Sequence, residues 1–135
     1  MDPSKDKRIF PVVLLERDSL DFSFSGIKSA VKRRIDEEIR DQGTLSEDFI
    51  GYISYEFEEI ATDILSEKIM RAYHATGAEM ILLAGGVSAN SKLKEKIKQE
   101  ADSLGIPFLA PVKNIYSMDN AAMVGIRVFY KIRYS

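Results

Sequence analysis

Two short segments carry the residues best suited to chemistry. In Leu82-Leu83-Ala84-Gly85-Gly86-Val87-Ser88-Ala89-Asn90 an apolar stretch runs into a glycine pair and then into a helix start. Glycines let a backbone approach an anion closely, and amides at a following helix start can bind phosphate. Asn90 adds a side-chain donor for a base, a sugar or an acyl group. The same pattern also serves an ordinary strand-to-helix turn that needs glycine for its dihedrals. Farther on, Ser117-Met118-Asp119-Asn120-Ala121-Ala122-Met123 places an acid and an amide at the start of another helix. Asp119 reads either as an N-cap or as a metal ligand, and a catalytic metal usually takes about three protein ligands. Together the two places describe a pocket for a phosphate-bearing ligand and a cation.

Other reactive groups are sparse. His74 is the single histidine, near the C-terminal end of a long helical pattern where its cation suits the dipole. No HxxxH or HExxH pair exists, so the chain supplies no two-histidine metal site. There is no cysteine, which excludes disulfides and thiolate sites. Lys28, Lys32, Arg33 and Arg34 form the densest basic cluster, but Asp36, Glu37 and Glu38 follow at once. A solvated helix face accounts for it, and a phosphate-contacting RNA surface is the alternative. In Asp21-Phe22-Ser23-Phe24-Ser25-Gly26 no base stands beside either serine, which reads as two core phenylalanines and a serine cap rather than a nucleophile.

The elements that position these groups follow from periodicity. Residues 9–15 are apolar and β-branched with Pro11 inside, an edge or interrupted strand. Leu20 to Phe24 alternates apolar and polar, a half-buried strand that would pair with the first as a hairpin. A helix opens at Ser25-Gly26 with Ile27, Ala30, Val31, Ile35 and Ile39 on one face, and Gly43 stops it. Thr44 and Glu47 form a capping box for a long helix whose stripe is Phe49, Ile53, Phe57, Ile60, Ile64 and Ile69, ending at Gly77. Glu79 to Ala84 predicts a buried strand. Ala89 to Leu104 predicts a helix with Leu93, Ile97 and Leu104 inward, ended by Gly105, and Ile106 to Ala110 a strand weakened by Pro107. Asp119 to Tyr130 predicts the last helix, with Arg127, Lys131 and Arg133 favouring its C-terminal end. The expected order is β-β-α-α-β-α-β-α, an α/β layer with parallel pairing.

At 135 residues, 45% hydrophobic, the chain suits one domain over residues 9–135, behind a polar segment at 1–8 that lacks the apolar core of a signal peptide. A net charge of -2 makes no compositional case for nucleic acid. No apolar run approaches the ~20 residues of a membrane span.

Three segments, Leu20 to Ala30, Ala84 to Asn90, and Asp119 to Met123, occur in this order, with Asp119 standing 29 residues after Asn90. Together they resemble the C-terminal half of the tRNA threonylcarbamoyladenosine synthase subunit family, TsaD, long called O-sialoglycoprotein endopeptidase. The resemblance extends from Phe10 to Tyr130. It implies an actin/Hsp70-like (ASKHA, ribonuclease H-like) fold, with this chain as the C-terminal lobe of a two-lobe protein. It implies transfer of threonylcarbamoyl from threonylcarbamoyl-AMP to N6 of the adenosine next to the tRNA anticodon. By the same resemblance Asp119 is a ligand of a divalent metal, iron or zinc. Asn90 contacts ATP or an AMP-linked substrate, and Gly85 and Gly86 lie at its phosphates. The implied partners are tRNA and the other subunits of a modification complex, in the cytoplasm and without a membrane.

Two departures stand out. Ser117-Met118 replaces the family's usual Cys-Thr before the Asp-Asn pair. The family's paired metal histidines and N-terminal lobe lie upstream of everything present here. The chain alone is therefore expected to hold metal weakly, to be inactive, and to expose an apolar surface through which copies associate. Two rivals remain open: a related carbamoyl- or phosphoryl-transfer enzyme of the same fold, and a non-enzymatic truncated paralogue that docks to partner subunits. The old endopeptidase name has no support, since neither a zincin motif nor a protease constellation is present.

Overall fold

The computed structural model describes residue 10 and residues 19–113 and 121–134. They fall into two compact units, residues 1–77 and 78–135.

The first unit is a helical pair. Helix α1 spans Ser25–Gln42 and helix α2 spans Glu47–Thr76. Each ends on a glycine in the left-handed region, Gly43 at φ 75° and Gly77 at φ 64°, as the sequence pattern requires. Their facing stripes build the core: Ile27 and Ala30 of α1 meet Ile53, Ile60 and Ile64 of α2, with Phe10 among them. Phe24, Val31, Phe49 and Phe57 pack against this cluster. Ile60, 1% exposed, contributes on the order of 1.5–3 kcal/mol by its burial. Ile39, expected on the inner face, is instead exposed at the far end of α1.

The expected strand at Leu20 to Phe24 does not form. Local serines take the backbone groups that a ladder needs. Ser19 Oγ accepts the Asp21 N–H at 3.0 Å, and Ser23 Oγ accepts the Ser25 N–H at 3.2 Å. Lys68, buried on α2, donates its ammonium to the Ser19 carbonyl. Phe24 then turns the chain into α1 at φ -93°, ψ 4°. Ser25 is the first helical residue rather than a side-chain cap, and Phe22 is exposed rather than in the core, resting edge-on against Phe24. The first expected strand lies, apart from Phe10, outside the described residues.

A second correction concerns the start of α2. Its N-cap is Ser46, not Thr44: Ser46 is extended (φ -77°, ψ 155°) and its hydroxyl accepts the Phe49 N–H at 3.1 Å. Glu47 and Asp48 then sit in the first turn, where acids favour the dipole.

The second unit alternates strand and helix. Strand β1 (Ile81–Leu82) pairs in parallel with β2 (Phe108–Leu109), in register Ile81 to Phe108 and Leu82 to Leu109. Both are shorter than the runs at 79–84 and 106–110 suggest. Pro107 accepts the Ile81 N–H at 2.9 Å but has no N–H to return. Only Ile81 of β1 is buried, while Leu82 is 69% exposed, so the expectation of a buried strand holds for one face.

Helix α3 (Ser91–Leu104) joins the two strands as the crossover. Leu93, Ile97 and Ala101 form its buried stripe. Leu104, expected inward, is exposed, and Ile106 takes that place. Gly105 turns left-handed at φ 67°, and the Ile106 N–H returns to the Ala101 carbonyl at 2.9 Å, with the Gly105 N–H on Asp102. That double bond pattern folds the residue after the glycine back under the helix end.

Helix α4 spans Ala121–Arg133, with Lys131 and Arg133 in its last turn. Its expected start at Asp119 lies outside the described residues. Its large apolar side chains are half or more exposed, Val124 at 65% and Ile132 at 78%. The architecture of the described residues is thus mostly helical with a two-stranded parallel sheet, and the described elements run α-α-β-α-β-α, without the strand expected at Leu20 to Phe24.

Candidate functional site

The glycine turn lies between β1 and α3. The chain leaves the sheet after Leu83, whose N–H donates to the Leu109 carbonyl at 2.9 Å. Gly85 adopts φ 84°, ψ 178°, a combination open in practice only to glycine. Gly86–Ala89 then make one turn of 3-10 helix, and Asn90 caps α3. The expected single helix from Ala89 is therefore two elements, broken where Asn90 is extended at φ -67°, ψ 115°.

The turn is pinned from one side and open on the other. Ser88 is fully buried, and its hydroxyl donates to the Gly85 carbonyl at 2.7 Å. Its N–H donates to the same oxygen at 3.0 Å. The 85–86 peptide is trans, so the Gly86 N–H points away from that carbonyl. On a Cβ built at Gly85 or Gly86, no described atom lies within 4 Å. Among the described residues, no side chain other than those of the chain neighbours therefore crowds these two glycines.

Asn90 stands at the end of the same turn. Its carboxamide oxygen accepts the Leu93 N–H at 2.8 Å, and its own N–H donates to the Val87 carbonyl at 3.0 Å. The oxygen thus serves the helix, and the carboxamide nitrogen is the side-chain atom of Asn90 with the chemistry of a donor. The first turn of α3 contains no acid, and Lys92 and Lys94 stand there instead. Cations at the positive end of a helix oppose its stability but add to a positive field beside the glycine turn.

The structure brings Gly85, Gly86 and Asn90 together on one turn. Asp119 lies outside the described residues, so its place relative to them is not part of this geometry. Among the described residues no three His, Asp or Glu side chains converge to hold a metal ion. Ser88 escaped the sequence reading. Its signal is a serine three residues after a glycine, the spacing at which a hydroxyl can close a turn on the glycine carbonyl.

The other candidates resolve into structure. Lys32 pairs with Asp36 at 2.6 Å and Arg34 with Glu38 at 3.0 Å, each one helical turn on. Arg34 also lies over the Phe49 ring at 5.1 Å. The basic cluster of α1 is thus interlaced with its own acids. His74 is exposed in the last turn of α2, edge-on to Tyr73. No helix among the described residues is long and apolar enough to cross a membrane.

Comparison with known proteins agrees with the three-segment resemblance. The model of the TsaD family, described as tRNA N6-adenosine threonylcarbamoyltransferase, matches residues 3–126. The chain is 38% identical over 118 residues to the tRNA N6-adenosine threonylcarbamoyltransferase of Desulforapulum autotrophicum, covering 87% of this chain and 34% of that protein. The enzyme of that name from Clostridioides difficile is 38% identical over 122 residues, 90% of this chain and 35% of its own length. That of Paracoccus denitrificans is 39% identical over 114 residues, 84% of this chain and 32% of its own. The chain therefore spans about a third of the length of the curated relatives it matches. With nearly all of its length matched by the family model, the chain belongs to the TsaD family of tRNA N6-adenosine threonylcarbamoyltransferases.

Proposed function

We propose that this chain carries the phosphate-facing turn of a tRNA N6-adenosine threonylcarbamoyltransferase of actin/Hsp70-like fold. In this reading the whole enzyme moves the threonylcarbamoyl group from threonylcarbamoyl-AMP to N6 of the adenosine next to the anticodon. The Gly86 amide donates to the phosphate of the AMP-linked substrate, and the Asn90 carboxamide nitrogen donates to its nucleotide or acyl part. Such fixed donors cost little reorganisation when charge develops at the acyl phosphate. The observation that carries the reading is the Gly85 backbone, held in a glycine-only conformation with no described atom within 4 Å of an added Cβ.

Asp119 belongs to the same reading as a metal ligand, iron or zinc being the expected ions. The relatives' shared name speaks for a transferase over a docking module. A tRNA substrate supports the cytoplasm as the place of action. The exposed apolar side chains of α4 support association with a second copy or with other subunits.

The test is calorimetric titration of ATP into the chain and into Gly85→Ala. An L-residue at φ 84° costs on the order of 1–3 kcal/mol, so the turn relaxes and affinity falls about tenfold or more. Equal affinity in the two would sink the phosphate turn. In the intact enzyme Asp119→Ala should abolish transfer, and unchanged transfer would remove the metal role.

A further inference from the structure

We propose that Ser88 is a positioning residue, which holds the Gly85 carbonyl inward and so aims the Gly86 amide at the phosphate of the bound ligand. The inference rests on the reading of Gly85 and Gly86 as the phosphate-facing turn.

Ser88 is 0% exposed, while the four residues before it, Ala84 to Val87, are exposed. A buried hydroxyl is costly unless it is bonded, and apolar side chains would fill the same space without that cost. Its hydroxyl proton goes to the carbonyl whose direction decides the turn. The Gly85 oxygen receives the Ser88 hydroxyl at 2.7 Å and the Ser88 N–H at 3.0 Å. Two donors from one residue fix the plane of the 85–86 peptide better than one.

That plane is the weak point of the turn. Two adjacent glycines lack the Cβ atoms that restrict backbone rotation, so the peptide between them flips more readily than any neighbour. In the observed plane the carbonyl points to Ser88 and the Gly86 N–H points the opposite way. A flipped plane would present a carbonyl oxygen to the phosphate in place of a donor. Ser88 selects the donor-out plane before the ligand arrives, which is preorganisation of the kind that raises affinity without a new contact.

The experiment is two-dimensional amide NMR on the full chain, titrated with ATP, with Gly86 as the reporter. In the native chain ATP should move the Gly86 amide resonance. Ser88→Ala should weaken ATP binding roughly 3- to 10-fold, the worth of one net hydrogen bond, and shrink the Gly86 shift at saturation. Ser88→Cys fills the site with a slightly larger side chain that is a much weaker donor, and gives the same result if the alanine variant perturbs the fold. A folded Ser88→Ala or Ser88→Cys that binds ATP with native affinity and the native Gly86 shift overturns the positioning role and leaves the phosphate turn intact. A native chain whose Gly86 amide ATP does not move removes the phosphate turn, and the role of Ser88 with it.

Discussion

Asn90 carries an observed role and a proposed one on two different atoms, and substitution can separate them. Its carboxamide oxygen caps α3 by accepting the Leu93 N–H at 2.8 Å. Its nitrogen is the proposed donor to the substrate. Asn90→Ala removes both. Loss of an N-cap costs about 0.5–2 kcal/mol. In a unit of this size each kcal/mol lowers Tm by roughly 4–8 °C. Asn90→Asp keeps the capping oxygen and adds a negative charge at the helix start, beside two lysines. Its stability should match or exceed the native by about 0.3–1 kcal/mol. The same substitution replaces the ligand donor with a charged acceptor facing phosphate, so ATP affinity should fall at least about tenfold. The assays are thermal unfolding and ATP calorimetry on the same three proteins. The expected pattern is a destabilised non-binder for alanine and a stable non-binder for aspartate. Native ATP affinity in Asn90→Asp would refute the reasoning and reduce Asn90 to a cap.

Two further outcomes test the scaffold. Ser46→Ala should cost about 1 kcal/mol by stripping the cap from α2, whereas Thr44→Ala should be nearly neutral, and denaturant unfolding of both decides which residue opens the helix. Ile97→Ala should cost about 2–5 kcal/mol because the side chain is 0% exposed, while Leu104→Ala on the same helix should cost well under half as much at 55% exposure. Equal losses would mean that Ile106 does not occupy the ground assigned to it.

Helix content and helix ends were legible in the sequence because their signals are local. Gly43, Gly77 and Gly105 each stop a helix by the same left-handed turn, and the Ile53, Ile60, Ile64 stripe needs no partner to be recognised. The parallel pair was legible from alternation of strand and helix. What escaped depends on competition between neighbours. Leu20 to Phe24 has a strand's alternation, but its serines bond the backbone first. Thr44 and Ser46 are both good caps, and the choice follows from where the chain is extended. Leu104 lies on the right face, yet the residue two places later folds beneath it. At the site, glycine and asparagine were visible by type, whereas Ser88 matters only through the direction of one carbonyl.

The requirement at position 85 is one of handedness, not of size. Among the described residues nothing crowds an added Cβ at Gly85, so there a methyl group is refused by the torsions. Reflected, φ 84° and ψ 178° become ordinary extended backbone, the preferred ground of any residue of opposite chirality. A semisynthetic chain with D-alanine at position 85 would keep the turn that L-alanine breaks, and with it the direction in which the Gly86 amide faces.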